Sequence, residues 1–161
     1  HPSYQKLLTA HILSEIEKLK TKPEFYLVSF HSIPLRYETE GDTYRKDCEM
    51  TMAALVRDMG WKEGEYQMTF QSKFGRERWL VPSTQEELPK LYARGIRKPA
   101  VIAPGFVVDC LETLEELNCE GRELWVHGGG NADDFSYLPC INDSRAWTDF
   151  LSTLIKENAW R

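Results

Sequence analysis

The sequence predicts an α/β fold: a four-stranded parallel sheet flanked by helices on both faces. Three observations predict it. Short apolar runs alternate with amphipathic stretches along the chain, the order of successive βα units. The runs at 25–30 and 100–103 are nearly continuous rather than alternating, as in strands covered on both sides. Polar or Pro/Gly-marked loops follow these runs, where an open parallel sheet presents its ligand-binding edge.

The chain has 161 residues, which suits one domain over 1–161 with a sizeable core. Apolar residues make up 42% and charged residues 28%, as in a globular chain that stays in solution. The net charge of −5 and the absence of a basic run interleaved with aromatics argue against a nucleic-acid partner. No apolar segment has membrane-spanning length and no signal peptide is visible, so a cytoplasmic location with at most peripheral membrane contact is expected. The first residue is His1 rather than Met, so the chain reads as a piece of something longer. Cys48, Cys110, Cys119 and Cys140 are widely spaced without a C-x-x-C pair, which predicts reduced, mostly buried thiols.

Residues 4–19 predict a helix, with Leu7, Leu8, His11, Ile12, Ile16 and Leu19 near helical spacing. His11 on that stripe reads as packed. Residues 25–30 form strand one, which ends in His31-Ser32-Ile33-Pro34, and residues 35–42 read as an exposed loop. A helix over 43–59 places Cys48, Met52, Leu55 and Met59 on one side and stops at Gly60. Strand two covers 65–71. The loop after it sets Lys73, Arg76 and Arg78 beside Phe74, Gly75 and Trp79, a mixture suited to a flat, anionic ligand, or to a solvated loop with one packed tryptophan.

Ser83-x-x-Glu86 has the pattern of a capping box opening a helix to about Gly95. Strand three covers 98–103. A helix then starts at about Cys110 and runs past Gly121 to the stop at 128–130. Asp109, Glu112 and Glu116 fall at i, i+3 and i+7 on one of its faces. Taken alone, Asp109-x-x-Glu112 is a capping box and the acids complement the helix dipole. A fourth strand covers 135–139, and Asn142-Asp143-Ser144 caps a last helix over 145–159. Neither a GxGxxG nor a Walker A stretch is present, which argues against nucleotide binding.

A parallel sheet brings His31, the 71–79 loop and the acids to one edge. A histidine facing carboxylates offers nitrogen and oxygen ligands to a divalent metal, and a proton acceptor with a relay to solvent. No nucleophile elbow and no second histidine at metal-ligand spacing support a hydrolase.

Four stretches carry a resemblance, in order: Phe30-His31-Ser32-Ile33-Pro34; Gly41-Asp42-Thr43-Tyr44; Thr69 to Leu80 with Gln71-Ser72-Lys73-Phe74-Gly75-Arg76; and Pro104 to Glu116 with Asp109-Cys110-Leu111-Glu112. Together they resemble the carboxy-terminal half of ferrochelatase of the bacterial type, over essentially the whole chain. The resemblance implies one of two similar α/β domains with a porphyrin in the cleft between them, the amino-terminal half being absent here. It implies a lyase that inserts Fe2+ into a porphyrin, protoporphyrin or coproporphyrin, with loss of two protons to form haem. By position, His31 and Glu112 match the catalytic and metal-handling pair. Asp109 and Glu116 match the acidic line toward solvent, and Trp79 and Phe106 match pocket aromatics. Lys73, Arg76 or Arg78 would pair with propionates. Cys110 stands where some relatives have a second histidine, and the bacterial type tolerates cysteine there. No cofactor beyond substrate Fe2+ is implied, and no iron–sulfur cluster, since closely spaced cysteines near the carboxyl end are absent. The alternatives are a non-catalytic porphyrin- or metal-binding fragment, and a cobalt or nickel chelatase. The latter tend to use paired histidines, and only His31 is well placed.

Overall fold

The structure is a computed structural model and describes residues 1–158. Its elements run α1 (Pro2–Lys18), β1 (Phe25–His31), α2 (Leu35–Thr39), α3 (Tyr44–Met59), β2 (Tyr66–Gln71), α4 (Thr84–Glu87), β3 (Pro99–Ile102), α5 (Leu111–Thr113), α6 (Gly121–His127), β4 (Ser136–Tyr137) and α7 (Arg145–Asn158). A 3-10 turn, Leu88–Lys90, follows α4, and a π-helical segment, Leu114–Glu120, joins α5 to α6.

The sheet is parallel throughout, in the order β2-β1-β3-β4. From β1 the chain first builds outward to β2, then crosses back to β3 on the other side. That reversal opens a crevice at the carboxyl ends of β1 and β3, where such sheets bind ligands. The register makes the edge stepped. β1 pairs with β2 from Tyr26↔Tyr66 to His31↔Gln71, whereas its pairing with β3 stops at Val28↔Ile102. The segment after β3 and the start of α5 lie beyond this step.

Alternation along β1 divides the core in two. Val28 and Phe30 pack with Leu8, Ile12, Cys48, Met52 and Leu55 of α1 and α3. Phe25 and Leu27 pack with Leu88, Leu117 and Trp125 on the opposite side. Both faces are thus apolar, which explains the continuous character of strand one.

Several expectations need correction. Residues 35–39 form the short helix α2 instead of loop. The helix from Ser83 lasts only Thr84–Glu87, because Pro89 forces a 3-10 turn and Gly95 turns at φ +92. Ser83 stands at the N-cap position, but its hydroxyl makes no capping hydrogen bond and bonds to the Gln85 side chain instead. The fourth strand pairs over Ser136–Tyr137 alone. The last helix is described to Asn158, and residue 159, the end expected for it, lies outside the described residues. Of the thiols, Cys48 and Cys140 are buried, Cys110 is half-buried and Cys119 is exposed.

The helix after β3 also departs from the even α-helix expected. Its buried residues are Thr113, Leu117, Gly121 and Trp125, each four apart. At about 3.6 residues per turn, a four-residue repeat drifts about 40° per step. The wider π winding over Leu114–Glu120 offsets that drift and keeps Leu117 under the same face as Trp125.

Gly128, which closes α6, has no room for a side chain: a Cβ there would fall within the backbone of Pro89. Gly128→Ala is therefore expected to destabilise the fold by about 1–3 kcal/mol, the usual cost of overpacking, read as a lower urea midpoint at unchanged slope.

Candidate active site

His31 ends β1, directly opposite Gln71 of β2. Its carbonyl accepts the Tyr44 hydroxyl at 2.8 Å, and the next amide, Ser32, donates to Gln71 O at 2.8 Å. The ring Nδ1 lies 2.6 Å from Ser32 O. A carbonyl only accepts, so Nδ1 carries the proton and a neutral ring keeps its lone pair on Nε2. The Phe106 ring stands 6.4 Å from the imidazole, tilted.

Glu112 lies in the first turn after β3. Here the expected capping box is wrong. Cys110, in extended conformation, is the N-cap, and Thr113 is its reciprocal partner: Cys110 N donates to Thr113 Oγ1 at 2.8 Å. Asp109 cannot fill that role because its carboxylate is already committed. It accepts Tyr137 Oη at 2.6 Å, Asn142 Nδ2 at 2.8 Å and the Cys140 amide at 3.2 Å. Asn142, at φ 54, also takes the Asp109 amide on its Oδ1 at 2.9 Å. Burial pushes the Asp109 carboxyl up, but the donors from Tyr137, Asn142 and Cys140 prevail and hold it below the usual carboxylate range.

Relieved of capping, Glu112 faces other neighbours. The neighbouring Cys110 thiol first, then Glu112's own amide, and the His31 ring when that ring is charged, hold its carboxyl below the usual range against the opposing effect of burial. The Cys110 thiol is pushed up, first by burial and then by Glu112. His31 and Glu112 thus share one field at the stepped edge. Among the described residues, no group of three or more His, Cys, Asp or Glu side chains is arranged to hold a metal ion.

Glu116, one turn on, is gripped by β2's loop. Ser72 N donates to Oε1 at 2.6 Å and Ser72 Oγ to Oε2 at 2.5 Å, with Gln85 Nε2 also donating. The structure therefore brings His31, Glu112 and Phe106 to one edge, and ties Asp109 and Glu116 to neighbouring loops. Trp79 lies beside Pro34 through a backbone bridge, half-buried, with its indole N–H buried and unpartnered. Lys73 pairs with Glu86 at 2.5 Å, whereas Arg76 and Arg78 are exposed. Phe74, Val108, Leu111 and Leu114 of the loops and helix at the strand ends are exposed, Phe74 at 82% and Leu111 at 74%.

Sequence reasoning missed Gln71, Tyr137 and Asn142 as site residues. Gln71 was signalled indirectly: Ser29 interrupts an apolar strand, and its pleat partner across β2 is polar as well. Tyr137 and Asn142 carried no local signal, because they meet Asp109 only through the fold.

Comparison with known proteins gives one family. A family model described as Ferrochelatase matches residues 1–159. The chain is 43% identical over 155 residues to a ferrochelatase of Pectobacterium atrosepticum, covering 96% of this chain and 48% of that protein. It is 46% identical over 146 residues to a ferrochelatase of Haemophilus influenzae, covering 90% and 45%. It is 40% identical over 157 residues to Ferrochelatase 1 of Shewanella oneidensis, covering 98% and 46%. The chain spans just under half the length of these curated relatives.

Tyr137→Phe removes the shortest donor to Asp109. Charge-assisted bonds of this kind are worth about 1.5–3 kcal/mol, so a loss of that order is expected at neutral pH. The folded-state pKa of Asp109 is depressed, so the stabilisation is present above the ordinary carboxylate value and is lost as pH falls through the folded value. Urea melts of both proteins are expected to differ at pH 7 and to converge at acid pH.

Proposed function

Because the chain belongs to the ferrochelatase family, we propose that it is the carboxy-terminal wall of an enzyme that inserts Fe2+ into a porphyrin to form haem. The amino-terminal half would supply the opposite wall. The observation that carries this reading is the pairing of an open imidazole nitrogen with an ionised carboxylate at one sheet edge, among exposed apolar side chains.

Insertion exchanges one Fe2+ for the two pyrrole protons of the ring. The site needs a proton acceptor and a hard, anionic partner for the ion. His31 suits the first role: Ser32 O holds Nδ1–H, and Nε2 of the neutral ring keeps its lone pair for a proton. Glu112 suits the second, because a carboxylate kept ionised is a weak base and a good oxygen ligand for a divalent ion. In this reading iron is substrate, with no resident cofactor and no iron–sulfur cluster. Asp109 and Glu116 extend the acidic line toward solvent. Their oxygens are engaged by protein donors, which favours passing protons along hydrogen bonds over gripping the ion.

Phe106, beside the imidazole, and Trp79, with its unpartnered indole N–H, would face a flat macrocycle. Lys73 is already paired, so Arg76 or Arg78 is the better match for a propionate. The porphyrin of this proposal is protoporphyrin or coproporphyrin. No described helix is long and apolar enough to cross a membrane; a cytoplasmic enzyme with at most peripheral membrane contact belongs to the same proposal.

Two substitutions in the full-length protein test the roles. His31→Gln and Glu112→Gln are each expected to lower anaerobic iron insertion by about 10²-fold or more, the range for a lost proton-transfer group or a lost charge at the reacting centre, with melting temperature nearly unchanged. Near-normal turnover in either variant would remove that residue from the chemistry. The chain by itself is expected to melt cooperatively yet form almost no metalloporphyrin, because one wall buries only one side of the ring. Full activity from the chain alone would overturn the two-wall reading.

A further inference from the structure

The edge of the sheet holds one residue that the proposed chemistry does not use. Gln71 is fully buried, and its side chain spans from the sheet to the site-bearing helix. Its Oε1 accepts Ser29 Oγ at 2.7 Å, and its Nε2 donates to the Glu112 carbonyl at 2.6 Å. The two ends of a carboxamide are nearly isosteric, so its neighbours decide which end faces the helix. With the amide reversed, its oxygen would meet the Glu112 carbonyl, acceptor against acceptor. Ser29 fixes the other end. Its single proton goes to the amide oxygen, and its own oxygen lies 2.7 Å from Thr84 Oγ1, which is 2.9 Å from Thr69 Oγ1. All four side chains are buried to within 1% exposure, so water cannot substitute for any of these partners.

From this we infer that Gln71 is a positioning residue for Glu112. Its oriented carboxamide pins the first turn of the helix and so sets where the Glu112 carboxylate stands relative to His31, the strand neighbour of Gln71. The inference rests on the role proposed above for Glu112. Ser72, the next residue, grips Glu116 through both its amide and its hydroxyl. Consecutive residues at the end of β2 therefore hold successive turns of the helix. α5 is only three residues long, and its Cys110–Thr113 cap is local to it. The grip from β2 is what ties that turn to the strand carrying the histidine.

The test uses three variants. Gln71→Met keeps the length and deletes both hydrogen bonds. Ser29→Ala leaves the amide in place and removes what orients it. Leu55→Ala, in the opposite core, serves as a control for lost stability. Steady-state iron insertion by the full-length protein is measured together with hydrogen exchange over residues 111–117. In Gln71→Met, kcat is expected to fall at least about tenfold with porphyrin KM within about twofold, within what a misplacement of an ångström costs. Ser29→Ala is expected to change in the same direction by less, and Leu55→Ala to leave kcat nearly unaltered. Exchange over 111–117 is expected to accelerate in the first two variants beyond the control. Unchanged exchange overturns the inference, and so does faster exchange with kcat no lower than in the control. If the unmodified full-length protein inserts no iron, the proposed function fails, and the exchange data alone decide whether Gln71 pins the helix.

Discussion

A seam of buried polar side chains at the carboxyl ends of β1 and β2 holds the site-bearing helix against the sheet. Ser29, Thr69, Gln71, Ser83 and Thr84 all lie at or near zero exposure, on the side of the sheet where Phe25 and Leu27 begin an apolar core. Each such group costs about 1–3 kcal/mol if left unpaired. The seam is therefore stable in one arrangement, in which the Glu112 carbonyl meets Gln71 and the Glu116 carboxylate meets Ser72. Leu117 and Trp125 bury the helix on the same side, but apolar contact is non-directional and tolerates sliding. Hydrogen-bond length and angle do not. The core fastens the helix; the seam sets its register.

Three of the four carboxylates between residues 109 and 116 meet different fates through their surroundings. Asp109 is bound by Tyr137, Asn142 and Cys140, which ties the β4–α7 loop to the start of the helix. Glu116 is bound by Ser72 and Gln85. Glu112 is left out of the cap, which Cys110 and Thr113 have taken over, and the Cys110 thiol is the neighbour that lowers its pKa most. A stronger capping residue at 110 would serve the helix as well, but would not place a soft donor beside the one carboxylate left open to the crevice.

Much of this was legible in the sequence, for physical reasons that differ by element. The strands at 25–31, 66–71 and 99–102 and the helices α1 and α3 announce themselves, because burial on one or both faces writes a simple apolar pattern. His31 was legible because a strand end is fixed by where the apolar run stops. The helix after β3 was read too evenly. Its four-residue repeat at Thr113, Leu117, Gly121 and Trp125 does signal wider winding, but the overlying i, i+3, i+7 acids imitate an ordinary α-helix. The Asp109–Glu112 capping box failed for another reason. Its local pattern was sound, yet donors 28 to 33 residues away claimed Asp109 first. Local motifs predict local bonds only when no distant group competes for the same oxygen, and sequence spacing does not reveal such competitors.

The remaining asymmetry concerns protons. In the proposed reaction, if His31 and Glu112 competed equally for protons leaving a ring nitrogen, the carboxylate would lose affinity for the incoming ion as it took one up. Their surroundings differ. Glu112 is held on the acidic side of its ordinary range first by the Cys110 thiol and its own amide, whereas the neutral His31 ring presents an unshared pair with its other nitrogen fixed on Ser32 O. The His31 contribution is that of the charged ring. In the proposed reaction an imidazolium formed there by proton uptake would help keep Glu112 ionised, so that the first proton to arrive would support the carboxylate as an oxygen ligand instead of weakening it. That order holds only while the two side chains stay within each other's field. The position of the first helical turn on the end of β2 is thus the geometric condition on which the proposed chemistry would depend.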